Sequence, residues 1–224
     1  LGRLGDLYMA QGNHAQALPL LEEALELNRR VLGPEHRHTL ISTSALGCLH
    51  QHRGDYDQAL PLLQFDLAAS RRLLGDEDID TLVSLANLGL CHLFREEHEQ
   101  ALELMTEDLA AARRVLGPEH PHTRVCMCNL GGLYTNMGRF DEAQQVLDEL
   151  RAASERSHGR VLSRPQQLAL HSALGLLYMA KGDCERALPL LQTCLLGREK
   201  TLGVAHPTSH ITAGSLGHCL SLMG

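Results

Sequence analysis

Fourteen histidines and seven cysteines are the side chains with the most chemical potential in this 224-residue sequence. His36-Arg37-His38 and His120-Pro121-His122 each set two imidazoles close together, and imidazole is a good ligand for zinc or nickel. Both pairs fall at matching places in linkers ahead of a helix start, which points to ordinary linker residues, and no intrinsic metal site is expected. Cys126-Met127-Cys128 has one intervening residue, where zinc pairs have two to four, and on a helix its two thiols would diverge by about 200°. The seven cysteines (48, 91, 126, 128, 184, 194, 219) are odd in number and most sit among apolar residues, so they read as reduced, buried small hydrophobes. No GxxxxGK[ST], GxSxG or HExxH occurs, and the glycines stand singly rather than in a phosphate-cradling loop. No catalytic residue, metal or cofactor is therefore assigned, and the chain reads as a non-enzyme.

The elements that must position any site are repeats. Leu4-Gly5 returns at Leu46-Gly47, Leu88-Gly89, Leu130-Gly131, Leu174-Gly175 and Leu216-Gly217, at intervals of 42, 42, 42, 44 and 42 residues. Self-similarity at such a period marks a solenoid, in which each repeat buries its apolar face only against its neighbours. In the first repeat Leu4, Leu7 and Tyr8, then Ala17, Leu18, Leu21, Ala24 and Leu25, fall at three- and four-residue steps, the helical period. Two helices per repeat are predicted. They join at a glycine (Gly12, Gly54, Gly138, Gly182, Gly224) suited to the left-handed C-terminal position, with Glu96 in its place in the third repeat.

The second helix ends at Leu32-Gly33, Leu74-Gly75, Leu116-Gly117 and Leu202-Gly203, and Pro121 and Pro207 suit the first turn of the helix that follows. Arg29-Arg30, Arg71-Arg72 and Arg113-Arg114 close the second helices and complement the helix dipole, a simpler account than an anion site. The fourth repeat instead runs through Ser157 to Pro165 without the Leu-Gly ending, and a flexible joint is expected there. The domain reading is one all-α domain, 1–224, with repeats at about 1–37, 38–79, 80–121, 122–165, 166–207 and a partial 208–224.

Composition narrows the setting. A formal net charge of -7 disfavours nucleic acid as a partner, since phosphate binding needs a basic stripe. No stretch approaches the roughly 20 apolar residues of a membrane span, and the first residues lack a secretory signal pattern. No membrane partner is expected, and a cytoplasmic location is.

Leu-Gly, a Tyr three residues after that Gly, the turn Gly, then Ala17, Leu21 and Ala24 together resemble the tetratricopeptide repeat, whose usual period is 34 residues. The longer period and the LGPEHPHT-type linker are similar to the variety found in kinesin light chains and nephrocystin-like proteins. His50, His92 and Leu220 depart from the pattern where Tyr8, Tyr134 and Tyr178 stand, as do Asp66 and Asp108 where Ala24 stands. The resemblance implies a right-handed superhelical solenoid of antiparallel helix pairs whose concave groove, lined by first helices, receives extended or helical peptides. It therefore implies a non-catalytic protein–protein interaction scaffold, an adaptor whose partner is a protein or peptide. The alternative is a structural spacer or oligomerisation segment of a larger multidomain protein.

In that register the groove wall of the first repeats comes from Gly2, Arg3, Asp6, Met9 and Ala10, then Ser44, Ala45, Cys48, Gln51 and His52. In the middle repeats the candidate peptide-binding residues are Asn87, Leu90, Leu93 and Phe94, with Asn129, Thr135 and Asn136. Leu90, Leu93 and Phe94 form an apolar patch for a ligand with an apolar anchor. Only Arg3 stands at a carboxylate-clamp position, so an acidic peptide tail is a poor candidate.

One position of the repeat is Ala24, Asp66, Asp108, Leu150 and Cys194, while the residue before the next Leu-Gly pair is Ala45, Asn87, Asn129, Ala173 and Ser215. Asp occurs only where Asn follows 21 residues on. A buried carboxylate without a donor is costly, so hydrogen bonds Asp66–Asn87 and Asp108–Asn129 are expected, with the two Asp residues as supports for the site. Lastly, a first helix without its partner closes the sequence, which predicts a fragment of a longer array. Ile211, Leu216, Leu220 and Leu222 would be left uncovered, and self-association through uncapped ends would follow.

Overall fold

A computed structural model describes residues 1–156, 163–204 and 206–223. The expected joint falls largely on residues 157–162 and so lies outside the described residues. Helices account for nearly all the rest: α1 (Gly2–Ala10), α2 (His14–Leu32), α3 (Arg37–Arg53), α4 (Tyr56–Leu74), α5 (Ile79–Phe94), α6 (His98–Val115), α7 (Pro121–Asn136), α8 (Phe140–Arg156), α9 (Arg164–Ala180), α10 (Cys184–Leu202) and α11 (Pro207–Met223). No strand occurs among the described residues. The fold is the all-α solenoid of helix pairs that the period predicts.

The linker histidines start helices. The His36 ring Nδ1 accepts the His38 backbone N–H at 3.2 Å, and His120 does the same for His122 at 3.2 Å. In α5 a carboxylate takes the role, Asp78 Oδ1 accepting from the Asp80 N–H at 2.9 Å. Each ring nitrogen thus satisfies one of the orphan donors of a helix N-terminus. A second device ties each first helix to the glycine before it: Thr39 Oγ1 donates to the Gly33 carbonyl at 2.7 Å, Thr81 to Gly75 at 2.8 Å, Thr123 to Gly117 at 2.8 Å and Ser209 to Gly203 at 2.9 Å. These hydroxyls are nearly or wholly out of solvent.

Inside a pair, the Leu-Gly glycine is the point of closest approach. A Cβ on Gly5 would stand 2.7 Å from Leu21 Cδ2, and on Gly131 or Gly175 it would stand 2.8 Å from Leu147 or Leu191 Cδ2. The two helices close over that gap and bury the leucines, each burial contributing on the order of 1.5–3 kcal/mol. Between helices of a pair the turn needs a left-handed residue: Gly54 takes φ 80°, and Glu96 takes φ 63° without the freedom of glycine.

The chain forms two compact halves, residues 1–111 and 112–224. In the first, Ala17, Leu21, Leu25, Leu46 and Leu49 make a core against which Tyr8, Met9, Leu18, Ala45 and Leu62 pack. In the second, Leu130, Leu133, Leu147, Leu150, Leu177 and Leu191 are buried. Ile211, Leu220 and Leu222 are exposed on α11, as expected, while Leu216 is half-buried. No disulfide joins the cysteines among the described residues, and Cys126 is buried with core residues. The arginine pairs do more than face a helix C-terminus: Arg71 Nη2 bonds Glu107 at 2.5 Å and Arg113 Nη2 bonds Glu149 at 2.8 Å, each acid lying on the second helix of the following repeat. Such exposed pairs contribute about 0–1 kcal/mol each.

Candidate functional site

In the first half, α3 and α5 present one face of each helix to a pocket of about 360 Å³. Met9, Leu40, Ile41, Ala45 and Val83 give it an apolar wall, and Ser44, Asp66, Ser84 and Asn87 line it with polar groups. Arg37 and Asp80 also line it, paired at 2.5 Å. Ile41 precedes Ala45 by four residues and Val83 precedes Asn87 by four, so each pair lies one turn apart on a single helix face. That turn is what the sequence register missed. Its positions began two residues before each leucine, so Arg37, Ile41, Val83 and Ser84 were left out; extending the same face backward by one turn would have found Ile41, Val83 and Ser84, and a second turn reaches Arg37.

Asp66, on α4, is only 2% exposed. The Ser84 hydroxyl lies 2.7 Å from its Oδ2 and 2.8 Å from the Asp80 carbonyl. The direct bond expected between Asp66 and Asn87 is replaced by a relay. The Asn87 amide donates to Ser44 Oγ at 3.1 Å, and the Ser44 hydroxyl in turn hydrogen-bonds Asp66. The reason is reach: Ser84 sits three residues before Asn87 on the same α5 face and meets the carboxylate first, while Asn87 faces back to α3. Burial pushes the Asp66 carboxyl above its ordinary range, with the two hydroxyls pulling it back and the nearby Asp80 charge adding to the rise. Burial also raises the Cys48 thiol in the same wall to about 12. It is a thiol, not a nucleophile, at neutral pH.

The other expected site residues lie elsewhere. Leu90 and Leu93 are half-buried and do not line this pocket; Phe94 is 53% exposed and lines a shallow depression with Gly54, Tyr56, Asp57, Arg95 and Glu96. In the second half, Asn129 is half-buried and Asn136 exposed on α7. Thr135 is nearly buried, and its hydroxyl donates within its own helix to the Gly131 carbonyl at 2.8 Å. Asp108 is as buried as Asp66, at 2%; it belongs to the first half and Asn129 to the second. Cys128, like Cys48, has its thiol raised to about 12 by burial.

Family models described as tetratricopeptide repeat match residues 1–64, 49–107 and 95–156, and a further one matches residues 172–208. No curated protein matches the chain. Among solved structures, the kinesin-light-chain-type, nearly identical TPR-like repeats of Podosopora anserina are similar at 26% identity over 89% of this chain and 94% of that one, with a TM-score of 0.68. BtubC (BKLC) from P. vanneervenii is similar in fold at 23% identity over 89% of this chain and 79% of that one, TM-score 0.67. A Rap protein complexed with competence and sporulation factor shares the fold at 13% identity over 99% of this chain and 63% of that one, TM-score 0.65. The fold is that of protein–protein interaction scaffolds. The chain belongs to the tetratricopeptide repeat family, as an array of the kinesin light chain type.

Proposed function

We propose that the chain holds a peptide, or an extended segment of a partner protein, against the first helices of its repeats. The observation that carries this is the pocket of the first half, where an apolar wall stands beside polar groups already fixed by their own hydrogen bonds. Largely apolar pockets with a few fixed polar groups are the usual form of a ligand site. The bound segment would run past Asn87 toward Leu90, Leu93 and Phe94, whose exposed ring offers an apolar contact. In the second half Asn129 and Asn136 offer amides to a ligand backbone. A structure of the same fold, the Rap protein, is complexed with a factor. Cysteines without disulfides suit a reducing, cytosolic setting, and among the described residues no helix is long and apolar enough to cross a membrane.

Val83 lines the pocket and is 40% exposed, so Val83→Trp fills it without entering the core. Peptides selected from a displayed random library on the wild-type chain should bind Val83→Trp at least about tenfold more weakly. Equal binding by the two would place the ligand elsewhere. Phe94→Ala should weaken the same peptides by about 1 kcal/mol. The second reading, an oligomerisation segment, draws on the exposed Ile211, Leu220 and Leu222 of α11; sedimentation over a range of concentrations, with Ile211→Glu as control, tests it directly.

A further inference from the structure

The pocket is lined by a carboxylate that three of the other four repeats do without at the matching place, Asp108 of the third repeat being the exception. Ala24, Leu150 and Cys194, at the matching place in other repeats, are 6%, 1% and 0% exposed and are apolar or nearly so, while Asp66 is 2% exposed. Packing alone would be served by any of those three. An ionised carboxylate out of water is costly unless a cation meets it, and the hydrogen-bond partners of Asp66 are hydroxyls, Ser84 and Ser44. The one arginine of the lining, Arg37, is engaged by Asp80 at 2.5 Å and approaches Asp78 at 3.8 Å. A purely apolar occupant would seal Asp66 from water with no counter-charge, and an acidic one would add a like charge to a protein of formal charge -7.

Resting on the groove reading above, we propose that this pocket receives a basic side chain of the bound peptide, a lysine or arginine. Its methylene stem lies along Met9, Ile41 and Val83, and its cationic head meets the Asp66 carboxylate. Long basic side chains bury their stems on apolar surface in this way while the head finds a charged partner. The Ser84 and Ser44 hydroxyls hold the carboxylate in place for that head. An occupant that displaces the water over Asp66 strengthens the pair further, because the attraction grows as the local dielectric falls.

The test uses peptides of twelve random residues displayed on phage and selected on the immobilised whole chain, with Val83→Trp as the blocked pocket. Recovered sequences should share one Lys or Arg. In the synthetic peptide, replacing that Lys by norleucine, or that Arg by citrulline, should weaken binding to the wild type at least about tenfold. On Asp66→Asn the same replacement should change binding less than about threefold. Asp66→Ala, which installs the residue native to the first repeat, should behave as Asp66→Asn does, and circular dichroism checks that both variants fold. Recovered peptides without an enriched basic residue, or a norleucine peptide that binds the wild type as tightly, overturn the basic-anchor proposal; if Val83→Trp still abolishes their binding, the groove reading stands. Peptides that bind Val83→Trp unchanged, or a selection that enriches nothing, overturn the groove reading and this inference with it.

Discussion

Gly47 lies so close to Leu63 that a methyl group on its Cα would come within 2.8 Å of Leu63 Cδ2 and 2.9 Å of Cγ. Leu63 is fully buried, so it has nowhere to retreat. The third repeat differs: a Cβ on Gly89 would stand 3.1 Å from Met105 Cγ, and methionine repacks more readily than leucine. Overpacking costs about 1–3 kcal/mol, against a gain of about 1 kcal/mol from replacing helical glycine by alanine. Gly47→Ala should therefore lower stability by up to about 2 kcal/mol, while Gly89→Ala should lie within about 0.5 kcal/mol of the wild type. Urea titrations of the two variants decide this, and equal losses would show that Met105 gives no more than Leu63.

Glu96 at φ 63° invites the reverse change. A side chain in the left-handed region costs about 1–2 kcal/mol, and part of that is returned by the greater freedom of glycine in the unfolded chain. Glu96→Gly should raise stability by about 0.5–1 kcal/mol. Gly54→Ala, at φ 80° in the preceding repeat, should lose a similar amount, so thermal melts of opposite sign are expected from the pair.

The hydroxyl of Thr81 is tested by a volume-matched change. Thr81 is 0% exposed and donates to the Gly75 carbonyl at 2.8 Å. Thr81→Val keeps the shape and removes the donor, which should cost about 1 kcal/mol, whereas Thr81→Ser keeps the donor and loses only a methyl. A Val variant as stable as the wild type would mean that this bond contributes nothing to holding α5 in place.

Asp66 gives a pH dependence whose sign follows from its environment. Its carboxyl is raised in the folded chain above the ordinary 3.8, chiefly by burial. Between those two values the native state holds more protons than the unfolded state, so stability falls as pH rises through that window and is level above it. The stability of Asp66→Asn relative to the wild type should accordingly grow from about pH 4 upward and then reach a plateau. A difference that shrinks with rising pH would mean that the Ser84 and Ser44 hydroxyls outweigh burial.

The architecture was legible because most repeats write the same stops and starts, so Leu46-Gly47 could be matched to Leu4-Gly5 without any structure. What the spacing did not show was why the glycine is there, since its reason is Leu63, a residue on the other helix of the pair. The same limit applied to the site. Asp66 and Asn87 were singled out by comparing repeats, and both line one pocket, but their link passes through Ser44, 43 residues before Asn87. No pairwise comparison of repeats points to a third residue on a neighbouring helix. The linker histidines were read as unremarkable, and their work as helix caps through Nδ1 could have been seen by noting that Asp78 stands at the same place.

The bond from each first-helix hydroxyl to the glycine carbonyl six residues earlier also bears on where the sequence tolerates insertions. A fixed span of six leaves no room for an added residue between the two partners. The position seven before the Leu of each Leu-Gly pair is Thr39, Thr81, Thr123, Gln167 and Ser209, and the interval of 44 rather than 42 residues is the one that leads to Gln167. There α9 begins differently, the Gln166 side chain accepting from the Ser163 N–H at 3.1 Å. The array has admitted two extra residues at the one junction that lacks the hydroxyl, so the small tether acts as a length gauge, and a graft of new sequence into this protein belongs at that junction.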